Sequence, residues 1–163
     1  MSLKIVSYNI KSGLYHPDGL EAIAGVLEEL DADVVALQEV DRETIRAGGE
    51  DQTAWLAERL DYEHHCFGAA TPWEGGGHYG VALLSAAPLE EVETTRLWIP
   101  KGKGTSPGEK EPRLLLRARL KDLPLTVMVT HLGLSADQRL RQARQIIACA
   151  HETHGAVVLA GDL

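Results

Sequence analysis

The sequence predicts an α/β fold with a mixed sheet and flanking helices, and three observations carry that expectation. Strand, helix and strand signals follow one another within the first ~35 residues, the arrangement of a right-handed βαβ unit with parallel strands. The middle of the chain instead shows short apolar runs joined by tight turns, as in antiparallel pairs. Four apolar runs also end in a polar residue of a type that binds metal or phosphate. Val6-Ser7-Tyr8 leads into Asn9, Val34 to Leu37 into Gln38-Glu39, Val127-Met128-Val129 into Thr130-His131, and Val157 to Ala160 into Gly161-Asp162. Ligands of open α/β sheets collect outside the carboxyl ends of strands, where such residues would meet.

Taken in order, Leu3 to Tyr8 reads as the first strand. Asp18 then stands as the N-cap of a helix, with Glu21 three residues on, and the stripe Leu20, Ile23, Ala24, Leu27 and Leu30 keeps helical spacing. Val34 to Leu37 is a continuous apolar run, as in a strand covered on both faces. Gln52 to Leu60 predicts a short second helix with Trp55, Leu56 and Leu60 inward. Gly75-Gly76-Gly77 reads as a loop and not a phosphate cradle, because no helix start follows it. Tyr79 to Ser85 and Leu89 to Leu97 predict two strands joined at Ala86-Ala87-Pro88. Pro100 to Pro112, with three glycines and three prolines, reads as a mobile connection. Leu114 to Leu120 and Leu125 to Val129 predict a hairpin turning near Lys121-Asp122. Ser135 and Gln138 open the last helix, whose Leu140, Ala143, Ile146, Ile147 and Ala150 are expected to face the core. Gly155 stops that helix, and Val157 to Ala160 is the closing strand.

Composition sets bounds. At 163 residues the length prior is a single domain, and 44% apolar with 25% charged residues is ordinary for a globular protein. No stretch approaches the ~20 apolar residues of a bilayer span, and the N-terminus lacks the basic-then-apolar layout of a signal peptide. Cys66 and Cys149 lie far apart with no C-x-x-C spacing, so a reduced, cytoplasmic chain is expected. The net charge of −8 argues against holding nucleic acid by general electrostatics. The segment Lys101 to Lys121 carries +5 and leaves −13 for the rest, which offers an anionic substrate one basic edge. A solvated loop and strand face accounts for the same run.

Singly, each strand-end residue has an ordinary explanation: a turn cap for Asn9, a polar loop start for Glu39, a satisfied histidine for His131, a turn pair for Gly161-Asp162. Their sequence context adds specificity. Ser7-Tyr8-Asn9-Ile10, Leu37-Gln38-Glu39-Val40, Tyr79-Gly80-Val81-Ala82-Leu83-Leu84-Ser85, Glu111-Pro112-Arg113, Thr130-His131-Leu132 and Ala160-Gly161-Asp162-Leu163 appear in that order. The ordered set resembles the endonuclease/exonuclease/phosphatase superfamily, the deoxyribonuclease I-like enzymes, over essentially the whole chain.

The resemblance implies the N-terminal part of a four-layer αββα sandwich, with residues 1–163 forming one C-terminally incomplete domain. It implies a metal-dependent phosphoesterase acting on a phosphodiester or phosphomonoester, using Mg²⁺ and sometimes Mn²⁺. Glu39 matches the principal metal carboxylate, with Asn9 beside it in the metal and phosphate shell. His131 matches the residue that hydrogen-bonds the scissile phosphate or assists proton transfer. Asp162 matches the aspartate of Gly-Asp-x-Asn, which orients the attacking water or stabilises the transition state. Tyr79 and Arg113 match supporting positions around the phosphate. Oxygen ligands suit Mg²⁺, and no Cys/His spacing for zinc competes.

The chain departs from the family in two places. Val81 stands where many relatives have Asn, and the late Asp-His pair that activates water has no counterpart among the seven histidines. The chain alone is therefore expected to be inactive or nearly so, and an apolar sheet face left by the missing half is expected to be covered by self-association as a homodimer. A non-catalytic interaction or dimerisation module that keeps the fold, and a doubly wound domain binding a small anion, are the competing readings. The family spans nucleic acids, phospholipids and small phosphate esters, and the sequence does not choose among them.

Overall fold

A computed structural model describes residues 2–101 and 108–163. Eight strands and three helices run in the order β1 (Ile5–Asn9), α1 (Gly19–Leu30), β2 (Val34–Arg42), α2 (Gln52–Arg59), β3 (His64–Pro72), β4 (His78–Ser85), β5 (Leu89–Arg96), β6 (Leu114–Leu120), β7 (Leu125–His131), α3 (Ala136–Glu152) and β8 (Ala156–Asp162). They form two four-stranded mixed sheets, β1-β2-β4-β3 and β5-β6-β7-β8. Each sheet has one parallel pair, β1 with β2 and β7 with β8, bridged by α1 and α3; the other pairings are antiparallel. The chain crosses from one sheet to the other at the Ala86–Pro88 joint, between β4 and β5. Residues 102–107, within the expected mobile connection, lie outside the described residues.

Alternation along the strands builds three cores. Val34, Ala36, Val81 and Leu83 of the first sheet face Leu114, Leu116, Leu120, Val127 and Val129 of the second. Val35, Leu37, Val40, Ala82 and Leu84 turn the other way, onto Ile23, Ala24 and Leu27 of α1 and Leu56 and Ala57 of α2. Leu115 and Met128 face Ile146 of α3 together with Leu97 and Leu132. The layers are therefore α/β/β/α. Both faces of the inner strands are covered, so among the described residues the expected bare apolar sheet face is not found. What stays open is the outer side of β1 and of β8, where Leu3 (39%), Leu159 (40%) and Leu163 (64%) remain exposed.

Several local expectations shift. The first strand runs to Asn9 and the second continues to Arg42, past its apolar run. Strand β3 is absent from the sequence reading, because His64-His65-Cys66-Phe67-Gly68-Ala69-Ala70 shows no clean apolar alternation. It gains its place by pairing with β4 through a Trp73–Gly77 turn that contains the three glycines. Asp18 precedes α1 but makes no side-chain cap bond, since its ψ of 9° is not the extended conformation a capping residue needs. Asp51, which the sequence reading passed over, does cap α2, accepting from Thr53 N at 3.0 Å and Ala54 N at 3.1 Å.

Helix α3 is rotated from its apolar stripe. Its buried residues are Gln138, Gln142 and Ile146, while Leu140 and Ile147 are exposed, contrary to expectation. Gln142 and Gln145 lie inward, where they serve backbone groups. Gln142 accepts from Gly133 N (2.8 Å) and donates to Trp98 O (2.8 Å), and Gln145 accepts from Trp98 N (2.6 Å). Left without partners, those buried backbone groups would each cost about 1–3 kcal/mol.

Cys66 on β3 reports how dry this edge is. Burial pushes its thiol from the ordinary 9.0 up to about 11, against a small opposing contribution from the Leu83 backbone. The folded state thus holds the proton where the unfolded chain releases it, so folding stability falls as pH rises from about 9 to about 11. The expected loss is about 2–3 kcal/mol across that window. Urea unfolding at pH 8 to 11 should show this slope in the wild type and a flatter one in Cys66→Ala; parallel slopes would contradict it.

Candidate metal and phosphate site

The site is built at a break in strand regularity. In β2 the pairing with β4 passes from Gln38↔Val81 to Val40↔Gly80, leaving Glu39 unpaired at a bulge. Period-two alternation would send Glu39 to the same side as Val35 and Leu37, under the helices. The extra residue, at φ +56°, turns the carboxylate out of the ladder and returns Val40 to the helix-covered core.

Asn9 ends β1, beside Gln38 in register. The turn after it uses three consecutive left-handed residues, Lys11, Ser12 and Gly13. Lys11 N donates to Asn9 Oδ1 at 3.0 Å, which fixes the amide so that Nδ2 faces the site. That nitrogen donates to Glu39 Oε1 at 2.7 Å and to Asp162 Oδ2 at 2.9 Å. His131 and Asp162 end β7 and β8 and are paired in register. A Cβ on Gly161 would lie 2.2 Å from Thr130 O, so only glycine lets β8 run this close to β7 before Asp162.

His131 completes the group. Its Nδ1 lies 3.9 Å from Glu39 Oε1 and its Nε2 3.7 Å from Asp162 Oδ2. Ligand atoms of Glu39, His131 and Asp162 lie within 4.8 Å of one another. Arg113 Nη1, 3.4 Å from His131 Nδ1, can only donate, so Nδ1 accepts and the neutral ring carries its proton on Nε2. Burial, then the Arg113 charge, hold the imidazole below its usual value, against the pull of Asp162 and Glu39. Tyr79 is buried beside them, and burial followed by the Glu39 and Glu111 charges raises its phenol well above the ordinary value, keeping it protonated.

The structure thus brings Asn9, Glu39, His131 and Asp162 together from three strand ends and the bulge within β2, across two sheets, with Tyr79 and Arg113 alongside. Arg113 is 5% exposed, donates to Glu111 Oε1 at 3.0 Å, and keeps its buried Nε without a partner. The other arginines of the basic segment point elsewhere. Arg117 pairs with Glu93, and Arg119 with Glu90 and Glu91, on the β5–β6 face. These two arginines belong to a self-neutralised strand face and not to a rim of the site.

The sequence reading missed a polar group behind Glu39. Asp41, fully buried, accepts from Arg46 Nε and Nη2, both at 2.7 Å, and from Thr44 Oγ1 at 2.9 Å. Asp41 N donates to Gln52 Oε1 at 2.9 Å. The only sequence signal was a polar run directly after an apolar strand, which reads as an ordinary loop until the bulge is known.

Residues 6–163 match the model of the Endonuclease/Exonuclease/phosphatase family. The chain belongs to that family. Among solved structures, a family protein from Beutenbergia cavernae is 28% identical with a TM-score of 0.70, over 90% of this chain and 43% of that one. A family protein from Bacteroides thetaiotaomicron is 18% identical with a TM-score of 0.67, over 99% of this chain and 63% of that one. Sphingomyelinase C from Streptomyces griseocarneus is 22% identical with a TM-score of 0.65, over 99% of this chain and 64% of that one. The latter two show the shared fold. The chain spans from under half to under two thirds of the length of these family structures.

The lowered His131 pKa is measurable. In metal-free protein its ring is expected to titrate below the free-imidazole value of about 6.5, and Arg113→Ala to raise that midpoint by removing the neighbouring cation. Since the unfolded chain takes up this proton more readily, His131 makes stability fall as pH drops below about 6.5. Imidazole NMR titration of both proteins checks the point; a midpoint unmoved by the substitution would refute the assigned contact.

Proposed function

We propose that Asn9, Glu39, His131 and Asp162 form the metal- and phosphate-binding side of an Mg²⁺- or Mn²⁺-dependent phosphoesterase site. One observation carries the reading. Two carboxylates from different sheets converge on a single amide, and among the described residues neither ion-pairs with a lysine or arginine. Their one ion-pairing candidate among the described residues is His131, whose environment favours the neutral form. Such concentrated, uncompensated negative charge on oxygen donors fits a hard divalent cation.

In this reading Glu39 is the principal metal ligand. Asn9 holds the Glu39 and Asp162 oxygens in place through its two N–H bonds, a supporting role set by its fixed amide orientation. The cation would supply Lewis-acid neutralisation of the phosphate charge that develops during hydrolysis. His131, with its proton on Nε2, donates to a phosphate oxygen or passes a proton. Asp162 orients the attacking water. Buried Tyr79 and Arg113 hold the phosphate side, Tyr79 as a neutral donor and Arg113 as a fixed cation.

The substrate class is a phosphate ester. Among the described residues no helix is long and apolar enough to cross a membrane. Among those residues His131 is the one histidine in the cluster, and no second imidazole stands opposite it to activate water. We therefore propose that the 163 residues bind metal but turn over slowly by themselves, since such a group typically contributes ~10²–10⁴-fold.

Mn²⁺ titration followed by electron paramagnetic resonance tests the site. The chain is expected to bind one ion, Glu39→Gln to lose that binding, and hydrolysis of bis(p-nitrophenyl) phosphate to stay near background. Absence of Mn²⁺ binding, or binding indifferent to Glu39→Gln, overturns the metal-site reading. Rapid hydrolysis abolished by Glu39→Gln would keep the site and overturn the slow-turnover part.

A further inference from the structure

The left-handed bulge that aims Glu39 is not a conformation an unbranched glutamate adopts cheaply. A non-glycine residue at φ +56° is uncommon and persists where its surroundings hold it. Those surroundings converge on one side chain. The Arg46 guanidinium donates through Nε and Nη2 to the two oxygens of Asp41, at 2.7 Å each. Nη2 also donates to Ser12 Oγ at 3.0 Å, and Ser12 Oγ donates onward to the Glu39 carbonyl oxygen at 3.3 Å. Gln52 ties the same two segments, donating to Ser12 O at 2.7 Å while accepting from Asp41 N at 2.9 Å. The guanidinium carbon Cζ lies over the Trp73 ring, 3.5 Å from its centre, with the Tyr79 ring centre at 5.2 Å.

We propose that Arg46 is a positioning residue for Glu39. This rests on the metal-site reading above for its consequence, though not for its geometry. The guanidinium clamps the bulge from both sides: through Ser12 it holds the Glu39 carbonyl, and through Asp41 it holds the backbone two residues on. Trp73 and Tyr79 flank it, and the Asp41 end of the pair is shut off from water. Asp41 is 0% and Arg46 27% exposed as side chains. The role requires arginine. A lysine ammonium keeps the charge but lacks the fork that reaches both Asp41 oxygens and Ser12 together, and the plane that stacks on Trp73.

Residues that orient a metal ligand from behind typically change affinity ~10–100-fold when removed. Mn²⁺ affinity by electron paramagnetic resonance is expected to fall by ~10-fold or more in Arg46→Ala, and to be restored little by Arg46→Lys. In the metal-free protein, the backbone carbon chemical shifts of Glu39 should move away from left-handed values in both variants. Met128→Ala, which opens a cavity beneath α3, should lower thermal stability yet bind Mn²⁺ as the wild type does, separating aim from general stability. If Arg46→Ala does not fold, Ser12→Ala removes only the hydroxyl relay and should weaken binding in the same direction. Wild-type affinity in folded Arg46→Ala, or in Ser12→Ala where that variant must stand in, overturns the inference. Failure of the wild type itself to bind Mn²⁺ overturns the metal-site reading instead, and unchanged Glu39 shifts in Arg46→Ala then overturn the clamp as well.

Discussion

The extra residue in β2 is the constraint on which the site depends. Strand geometry offers a side chain only two directions, and along Val34–Leu37 of β2 both lead into apolar cores: toward α1 and α2, or toward the facing sheet. A carboxylate in either direction would lose its water without gaining a partner, at a cost of several kcal/mol. The bulge at Glu39 gives it a third direction, out of the ladder at the end of the sandwich. It also restores the phase of the strand, so Val40 still packs with Val35 and Leu37. Folding the β2 core and presenting the acid are thus one event.

Electrostatics follow from that placement. Glu39 and Asp162 come from β2 and β8, on different sheets, and the stacking of the sheets brings them to one amide. Two carboxylates at such range repel. The structure offsets part of this with the Asn9 donors, and it sets a largely neutral His131 between them and Arg113. The adjacent Asp41–Arg46 pair is different in kind. It is a bidentate ion pair in which Asp41 also accepts from Thr44, an arrangement that makes a buried charge tolerable. One acid is neutralised within the fold, while Glu39 and Asp162 have no lysine or arginine partner among the described residues.

Much of the architecture was legible in the chain. The β1-α1-β2 unit, the β6–β7 hairpin, helix α3 and the closing strand follow from apolar period and turn residues, and Asn9, Glu39, His131 and Asp162 stand out as polar residues ending apolar runs. The failures have physical reasons. Strand β3 is built from small and polar residues that acquire strand character only from β4 beside them. The stripe of α3 misleads because Gln142 and Gln145 are drawn inward by unpaired backbone groups of Trp98 and Gly133, a demand no helical wheel contains. The basic run at Lys101–Lys121 shows its charges but not that Glu90, Glu91 and Glu93 on β5 would neutralise two of its arginines.

Residue type and local order, then, were enough to place most strands and helices and to single out Asn9, Glu39, His131 and Asp162, because hydrophobic periodicity and ligand chemistry are written position by position; the family and the layer scheme came from the resemblance of the ordered motifs. The sandwich added what depends on distant segments meeting. It determined that Glu39 leaves its strand on a left-handed bulge, that Arg46 locks this bulge through Asp41 and Ser12, and that Asn9 spans carboxylates 30 and 153 residues away in the chain. Register and sheet stacking are cooperative properties of the whole packed core. No single stretch of the chain contains them.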